Sequence, residues 1–293
     1  MTTQASAQPV VVGVDGSDAA LGAAGWAANV AVDYGAPLIL LHAVPRLSWH
    51  FVDTEPPAEL DGSAAGDQVL AAAETALRSE FPDLDIRTTK IKGAVATALA
   101  DASQSARLLV VGTGAGDHRA LGGHVVRIAH QAQCPVVVWR APVAKRTGKP
   151  LPVVVGVDDS DAAARAVPAA FEIAKALHAP LTVAHMWELD AAVGMGDLGG
   201  EGNMDWSLLE VLETQQRGRV QELVEPVARS FPNAHVTDVF RDISPTKGLI
   251  DLSQEAQLVV VGSHGRGSLA ATLLGSVSQN LIHHAECPVL VVR

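Results

Sequence analysis

The chain is poor in aromatic residues, cysteines and positive charge, and each shortage narrows what the protein can be. Only 4% of its 293 residues are aromatic, so alanine, valine and leucine must build the core. Its two cysteines, Cys134 and Cys287, are too few for a disulfide framework and favour a reducing, cytoplasmic location. The net charge of −11 argues against nucleic acid as a partner, because an acidic chain repels phosphate backbones.

Long apolar segments are also missing. No run of 18 apolar residues occurs, and the first residues, MTTQASAQPV, lack the basic and apolar regions of a signal peptide. We therefore expect neither a membrane span nor a membrane partner. With 48% hydrophobic and 18% charged residues, the composition is globular, and the length suits about two domains.

The sequence contains two copies of one unit. PVVVGVDGSDAA at 9–20 returns as PVVVGVDDSDAA at 152–163, and CPVVVWR returns later as CPVLVVR. The order of matching segments is kept between the copies, which is the signature of a duplicated domain. We therefore predict domains at 1–141 and 152–293, with an exposed linker at 142–151 that is rich in proline and charge.

Each copy alternates predicted strands with predicted helices. VVVGVD is typical of a strand buried on both faces, and Ser17 or Ser160 after it can cap a helix that in copy one ends at Gly35. This alternation predicts a Rossmann-like α/β fold, with a doubly wound, five-stranded parallel sheet in each copy. Such folds bind ligands at the carboxyl ends of the strands, where the strand order reverses.

A glycine-rich loop at 259–280, VVVGSHGRGSLAATLLGSVSQN, carries the strongest chemical signal. Glycines let the main chain approach a ligand, and successive N–H groups near a helix N-terminus attract anions. The loop is not a P-loop, because no GxxxxGK[ST] string occurs. A match to the dinucleotide fingerprint follows the wrong strand for that motif. The features suit a polyphosphate and come from Gly262, Gly265, Gly267, Gly275, Ser276 and Ser278.

The spacing Gly262-x2-Gly265-x9-Gly275-Ser276, with the VGVDxS opening and the CPVLVV ending, resembles the universal stress protein family. The resemblance covers nearly the whole chain, as a tandem two-domain member. It implies that the loop is an ATP-binding signature and leaves open whether Mg²⁺ accompanies the nucleotide. It also implies a regulator in stress response or growth control.

The resemblance assigns roles to residues of copy two. Asp158 corresponds to the acid near the ribose and any metal ion, and Met186 to the position whose main chain meets adenine. The other residues are expected beside the nucleoside or the phosphates: Val261, Gly262, His264, Gly265, Gly267, Gly275, Ser276, Val277 and Ser278.

Copy one is less regular. Gly123 stands where copy two has Ser276, and Asp117 adds a negative charge near the expected phosphates. We expect weaker or altered nucleotide binding there, and the sequence leaves open whether this copy binds at all. Its candidate residues are Asp15, Ala43, Gly112, Gly114, Gly116, Gly122 and Gly123.

Some of these residues also have plainer interpretations. Asp15 and Asp158 could be helix caps, since aspartate is favoured there. His42 and His185 recur at one place in the repeat and are interpreted as structural. The two cysteines are interpreted as unreactive core residues.

Three functions remain open at this point: an ATP-binding regulator, a slow ATP-hydrolysing enzyme and a nucleotide-free scaffold. No catalytic residues and no metal-ligand cluster are evident, so we expect weak hydrolysis at most. The resemblance implies that the last strands pair the two copies as an intrachain pseudo-dimer. It also implies a homodimer and an unidentified protein partner.

Overall fold

The chain forms two compact α/β units, Met1–Pro142 and Val143–Arg293. The computed structural model describes residues 7–44, 63–113, 123–141, 150–187, 206–265 and 274–293. Most of the predicted linker lies outside the described residues.

The first unit follows the predicted alternation of strands and helices. Its second helix begins at Ser63, whose hydroxyl and carbonyl accept from Lys90 Nζ at 2.8 and 3.0 Å. The elements are β1 Val10–Gly13, α1 Asp18–Tyr34, β2 Leu38–Val44, α2 Ser63–Glu80, β3 Ile86–Lys92, α3 Val95–Ser103, β4 Leu108–Gly112, α4 Gly123–Gln131 and β5 Val136–Trp139.

The second unit repeats this order. Its elements are β6 Val153–Gly156, α5 Asp161–Ala176, β7 Leu181–Trp187, α6 Trp206–Ala228, β8 Val236–Asp242, α7 Pro245–Ser253, β9 Leu258–Gly262, α8 Ser276–His284 and β10 Val289–Val292.

The strands of each unit form a parallel sheet, as predicted. The order in the first unit is β3-β2-β1-β4-β5, and in the second unit β8-β7-β6-β9-β10. The winding direction therefore reverses between β1 and β4, and between β6 and β9. The carboxyl ends of those strands border the crevice where doubly wound folds bind ligands.

Small side chains allow the helices to pack closely on the sheets. The buried stripe of α1 consists almost wholly of alanine, with Val30 as its one larger member. Gly22 on the same helix lies under Trp139, and a Cβ atom at Gly22 would stand 2.2 Å from the Trp139 ring. The shortage of aromatic residues is thus met by valine strands and alanine helices at short separations.

Serine hydroxyls cap the first helix of each unit, as predicted. The Ala20 N–H donates to Ser17 Oγ at 3.2 Å, and the Ala163 N–H donates to Ser160 Oγ at 3.1 Å. The cap is therefore the serine. Asp15 and Asp158 accept from the serine N–H groups instead, at 2.9 and 3.1 Å.

The two units end this helix with different residues in the same left-handed conformation. Gly35 has φ +58°, and His178, 143 positions later, has φ +49°. In both, the following N–H bonds back to the last turn, Ala36 to Ala31 and Ala179 to Ala174. A side chain in this conformation costs about 1–2 kcal/mol, which glycine avoids.

We therefore expect Gly35→Ala to lower the free energy of unfolding of the first unit by about 1 kcal/mol, because a Cβ there meets no atom within 4 Å and only the backbone is strained. Denaturant unfolding followed by circular dichroism measures this change. Gly25→Ala, where a Cβ also meets no atom within 4 Å, is the matched control inside α1 and should lose no stability. Wild-type stability in Gly35→Ala would contradict the prediction.

Candidate functional site

The candidate site of the second unit lies where β6 and β9 end. Asp158 follows β6 and Gly265 follows β9, and a Cβ atom at Gly265 would stand 2.8 Å from Asp158 Oδ2. The two segments that flank the reversal of the sheet are thus in direct contact. This contact places the predicted acid beside the predicted loop.

The Asp158 carboxylate is held in one orientation. Its Oδ1 accepts from the Ser160 N–H at 3.1 Å and from the Ser160 hydroxyl. Ser160 is itself fixed as the cap of α5, and Asp158 is half-buried. The other carboxylate oxygen, Oδ2, is the one that faces Gly265. A group so anchored can accept from a hydroxyl or ligate a cation without first losing rotamer freedom.

The loop after β9 is tied to the start of α8 through the carbonyl of Ser263. That oxygen accepts from the Gly275 N–H at 2.6 Å and from the Ser278 hydroxyl at 3.0 Å. Ser278 is 1% exposed, and its hydroxyl also lies 2.9 Å from the Gly275 carbonyl. The Ser278 hydroxyl therefore braces the main chain, whereas the Ser276 side chain is exposed.

The first N–H groups of α8 have no hydrogen-bond partner within the helix itself. Gly275 is its N-cap and provides no side-chain hydrogen bond to the first turn. The first N–H groups of a helix have no intrahelical partner, and the helix dipole makes this end positive. The Ser276, Val277 and Ser278 N–H groups belong to that turn. Their setting at the crevice suits an anion.

His264 connects this loop to the buried strand end. Its Nδ1 lies 2.8 Å from the Ser263 hydroxyl, and Ser263 is 3% exposed. Ser263 is not among the predicted site residues, although its carbonyl and hydroxyl organise the loop. The available signal was its position between Gly262, which ends a strand, and His264.

Gly262 and Gly112 are glycines for a packing reason. A Cβ atom at Gly262 would stand 2.6 Å from the Ala162 Cβ and 2.8 Å from its carbonyl carbon. At Gly112 it would stand 2.6 Å from the Ala19 carbonyl oxygen. Each strand end thus passes directly under the first turn of α1 or α5. The nearby Val261 is buried in β9.

The main-chain groups of Met186 face β6, and its side chain is buried against α7. Its side chain is 5% exposed, and its Sδ stands 2.7 Å from where a Cβ at Gly248 would be. On one side of β7, the Leu181 N–H donates to the carbonyl of His235, which precedes β8. On the other side, the Ala184 carbonyl accepts from the N–H of Val157, which follows β6. Main-chain groups of alternate residues share a side, so those of Met186 face β6.

The first unit reproduces part of this arrangement. Asp15 is exposed and accepts from the Ser17 N–H, and Ala43 holds the place of Met186 at the end of β2. Gly16 has φ +87°, whereas Asp159 at the same place pairs with Arg219 at 3.1 Å. Gly123 begins α4. Predicted site residues outside the described part of the chain are Gly114, Gly116, Gly122 and Gly267.

Neither a metal centre nor a membrane-crossing helix is found in the described part of the chain. No group of three or more His, Cys, Asp or Glu side chains converges there. No described helix combines the length and apolarity needed to cross a bilayer.

Both cysteines are buried. Burial raises the pKa of the Cys134 thiol from its ordinary value of 9.0 to about 12, and Cys287 is fully buried. At pH 8 only roughly one Cys134 thiol in ten thousand would be ionised, and the thiolate is the reactive form.

We expect iodoacetamide to label the native chain at Cys134 at least about a hundredfold more slowly than the urea-unfolded chain at pH 8. Because the folded pKa is raised, the rate should keep increasing with pH beyond 9. Peptide mass spectrometry of timed samples measures both rates. Equal rates in the native and unfolded chain would contradict the burial of this thiol.

Comparisons with known proteins place these features in a family. The model of the universal stress protein family matches residues 7–140 and again 151–293. A universal stress protein of Mycolicibacterium smegmatis is 32% identical over 302 residues, covering 100% of this chain and 99% of that protein. One from Mycobacterium tuberculosis is 32% identical over 305 residues, again covering 100% and 99%.

A solved structure extends the likeness to the fold. A universal stress protein from Archaeoglobus fulgidus superimposes with a TM-score of 0.67 at 20% identity, covering 98% of each chain. The family model matches twice in tandem, and relatives that are 32% identical align over the full length of the chain. Both findings agree with the duplicated parallel sheets. The chain belongs to the universal stress protein family.

Proposed function

We propose that the second unit binds ATP and that the protein is a nucleotide-dependent regulator of stress response or growth. One observation carries the proposal: the loop after β9 lies against the Asp158 carboxylate, and the Ser263 carbonyl ties that loop to Gly275, the N-cap of α8, which provides no side-chain hydrogen bond to the first turn. An anion-binding end and an anchored acid are thereby brought to one crevice. A nucleotide has a polyphosphate for the first and a ribose for the second.

Main-chain donors would bind the phosphates without a lysine. The first-turn N–H groups of α8 and the Gly265 N–H supply directed donors at the positive end of the helix. Gly265 adds no side chain that would hold a phosphate away. Their number suits a di- or triphosphate better than a single phosphate.

Asp158 would meet the ribose or the cation that accompanies ATP. Mg²⁺ in nucleotide sites is held by one or two carboxylates together with the phosphates and water, so a single anchored carboxylate fits that ion. Within the described residues it belongs to no group of three or more His, Cys, Asp or Glu side chains that could hold a metal ion. The site therefore supports binding more strongly than hydrolysis, which needs a positioned group for the attacking water.

A titration series tests this proposal. We expect the affinity, measured by isothermal calorimetry with Mg²⁺, to increase from adenosine through AMP and ADP to ATP. Asp158→Asn should weaken ATP binding about tenfold, the loss expected for one charge-assisted contact. Adenosine binding as tightly as ATP would contradict the placement of the phosphates.

The stoichiometry of the same titration separates the two units. One ATP per chain would assign binding to a single unit, and Asp15→Asn beside Asp158→Asn would show which one. The cytoplasmic location that the cysteine content favours stays a prediction, and so do the homodimer and the protein partner.

A further inference from the structure

His42 and His185 make the same unusual contact in the two units. His185 Nδ1 lies 2.7 Å from the carbonyl oxygen of Val157, and His42 Nδ1 lies 2.7 Å from that of Val14. A carbonyl oxygen can only accept, so Nδ1 carries the proton in both rings. The residue after each carbonyl is the aspartate of the candidate site.

This contact takes the place of the next backbone hydrogen bond between neighbouring strands, which we call a rung of the sheet. The Val157 N–H donates to the Ala184 carbonyl at 2.9 Å, the last bond between the β6 and β7 segments. In a parallel ladder the next bond would run from the Met186 N–H to the Val157 carbonyl. Among the described residues that bond is not made, and the imidazole of His185 holds the carbonyl instead.

The first unit shows the same interruption. The Val14 N–H donates to the Leu41 carbonyl at 2.9 Å, and the Val14 carbonyl then accepts from His42 rather than from the Ala43 N–H. The two rings have different neighbours. His42 lies beside Gly66 of α2, whereas His185 is 1% exposed and lies 5.7 Å from the Phe240 ring, between centroids. The carbonyl contact is therefore what the two histidines share.

We infer that His42 and His185 are positioning residues that keep the main chain of the next residue available to a ligand. By occupying the Val157 carbonyl, the imidazole ends the β6–β7 ladder one rung early. The Met186 N–H and carbonyl then face the mouth of the crevice beside Asp158. Without the ring, Val157 and Met186 would pair and the strands would close over that edge.

This role predicts base selectivity, and that part rests on the proposed function. A free N–H and carbonyl on one strand edge match adenine, whose N1 accepts and whose amino group donates. Guanine presents the opposite polarity at its N1 and O6. Closing the rung would consume the donor, so ATP affinity and the preference for ATP over GTP should fall together.

Amide hydrogen exchange measured by NMR tests the interrupted rung without any ligand. In the wild-type chain we expect the Met186 amide to exchange at least about a hundredfold faster than the Ala184 amide. In His185→Ala the Met186 amide should become protected, and His185→Asn should keep it fast because the asparagine Nδ2 can replace Nδ1. Equal protection of Met186 and Ala184 in the wild type, or no change in His185→Ala, would overturn the inference.

Two further variants keep the test decisive. If His185→Ala does not fold, His42→Ala in the first unit provides the same reading at Ala43, because His42 is only half-buried. Ser253→Ala is the matched control for lost stability. It removes a buried hydroxyl that accepts from the Glu286 N–H at 2.9 Å, before the amino ends of β9 and β10, and should leave Met186 exchange unchanged.

The nucleotide arm then separates this inference from the proposed function. His185→Ala should weaken ATP binding and lower the ATP-to-GTP preference, each about tenfold, and His185→Asn should restore both to within about threefold of wild type. If the Met186 amide exchanges as expected but the wild-type chain binds no ATP, the proposed function is wrong and the positioning role remains. If His185→Ala binds ATP with the wild-type preference over GTP, and its Met186 amide exchanges as in the wild type, the positioning role is wrong and the proposed function remains.

Discussion

Gly265→Ala is expected to weaken ATP binding by the second unit about 30-fold, which corresponds to roughly 2 kcal/mol. The added Cβ would stand 2.8 Å from Asp158 Oδ2, so either the carboxylate or the loop must shift. Asp158 cannot easily turn away, because Ser160 holds its other oxygen. Calorimetric titration with ATP and Mg²⁺ measures the loss.

Gly218→Ala is the matched control for this variant. Gly218 lies in α6, and a Cβ there meets no atom within 4 Å, so ATP affinity should stay at the wild-type value. Gly265→Ala should also unfold at nearly the wild-type denaturant concentration, because Gly265 is exposed. Unchanged ATP affinity in a folded Gly265→Ala chain would show that the loop does not approach the nucleotide here.

Gly262→Ala, only three positions earlier, is expected to act on stability, lowering the free energy of unfolding of the second unit by about 2–3 kcal/mol. Its Cβ would stand 2.6 Å from the Ala162 Cβ and within 3.0 Å of two Ala162 backbone atoms. Backbone cannot rotate away as a long side chain can, so α5 and β9 must separate. Denaturant unfolding measures the change.

Gly112→Ala provides an independent copy of this experiment. A Cβ at Gly112 would stand 2.6 Å from the Ala19 carbonyl oxygen, so the first unit should lose a similar amount. Gly218→Ala serves as the control again and should be neutral or slightly stabilising, since alanine favours a helix interior. Wild-type stability in both Gly262→Ala and Gly112→Ala would mean that these helices do not rest on the strand ends.

Much of the fold could be predicted from local patterns. β-branched runs such as VVVGVD can be recognised as strands because a strand that is buried on both faces has no polar side. Helix ends favour particular residues, so the caps at Ser17 and Ser160 and the helix end at Gly35 can be recognised in the sequence. The duplication multiplied these signals, since each element appears twice in the same order.

Roles that depend on packing between distant segments could not be predicted in this way. The loop pattern groups Gly262 with Gly265, but Gly262 is held under α5 and Gly265 against Asp158. The same pattern predicts the Ser278 hydroxyl at the phosphates, but that hydroxyl donates to the Ser263 carbonyl, 15 residues away. Only the assembled fold shows which atom lies opposite each of these residues.

The histidines illustrate the same limit. Their recurrence in the repeat predicts a structural role, and each imidazole does bond to a main-chain carbonyl, that of Val14 or Val157. The sequence contains no sign that this bond replaces a rung of the sheet. That conclusion needs the register of β1 with β2 and of β6 with β7.

An NMR titration of the isotope-labelled chain with ATP and Mg²⁺ shows whether main-chain N–H groups bind the phosphates, because it detects those N–H groups themselves. We expect the amide resonances of Gly265 and of the first turn of α8, Ser276 to Ser278, to shift strongly with ATP and much less with adenosine. Saturating ATP that leaves those amides unmoved would contradict phosphate binding by these N–H groups.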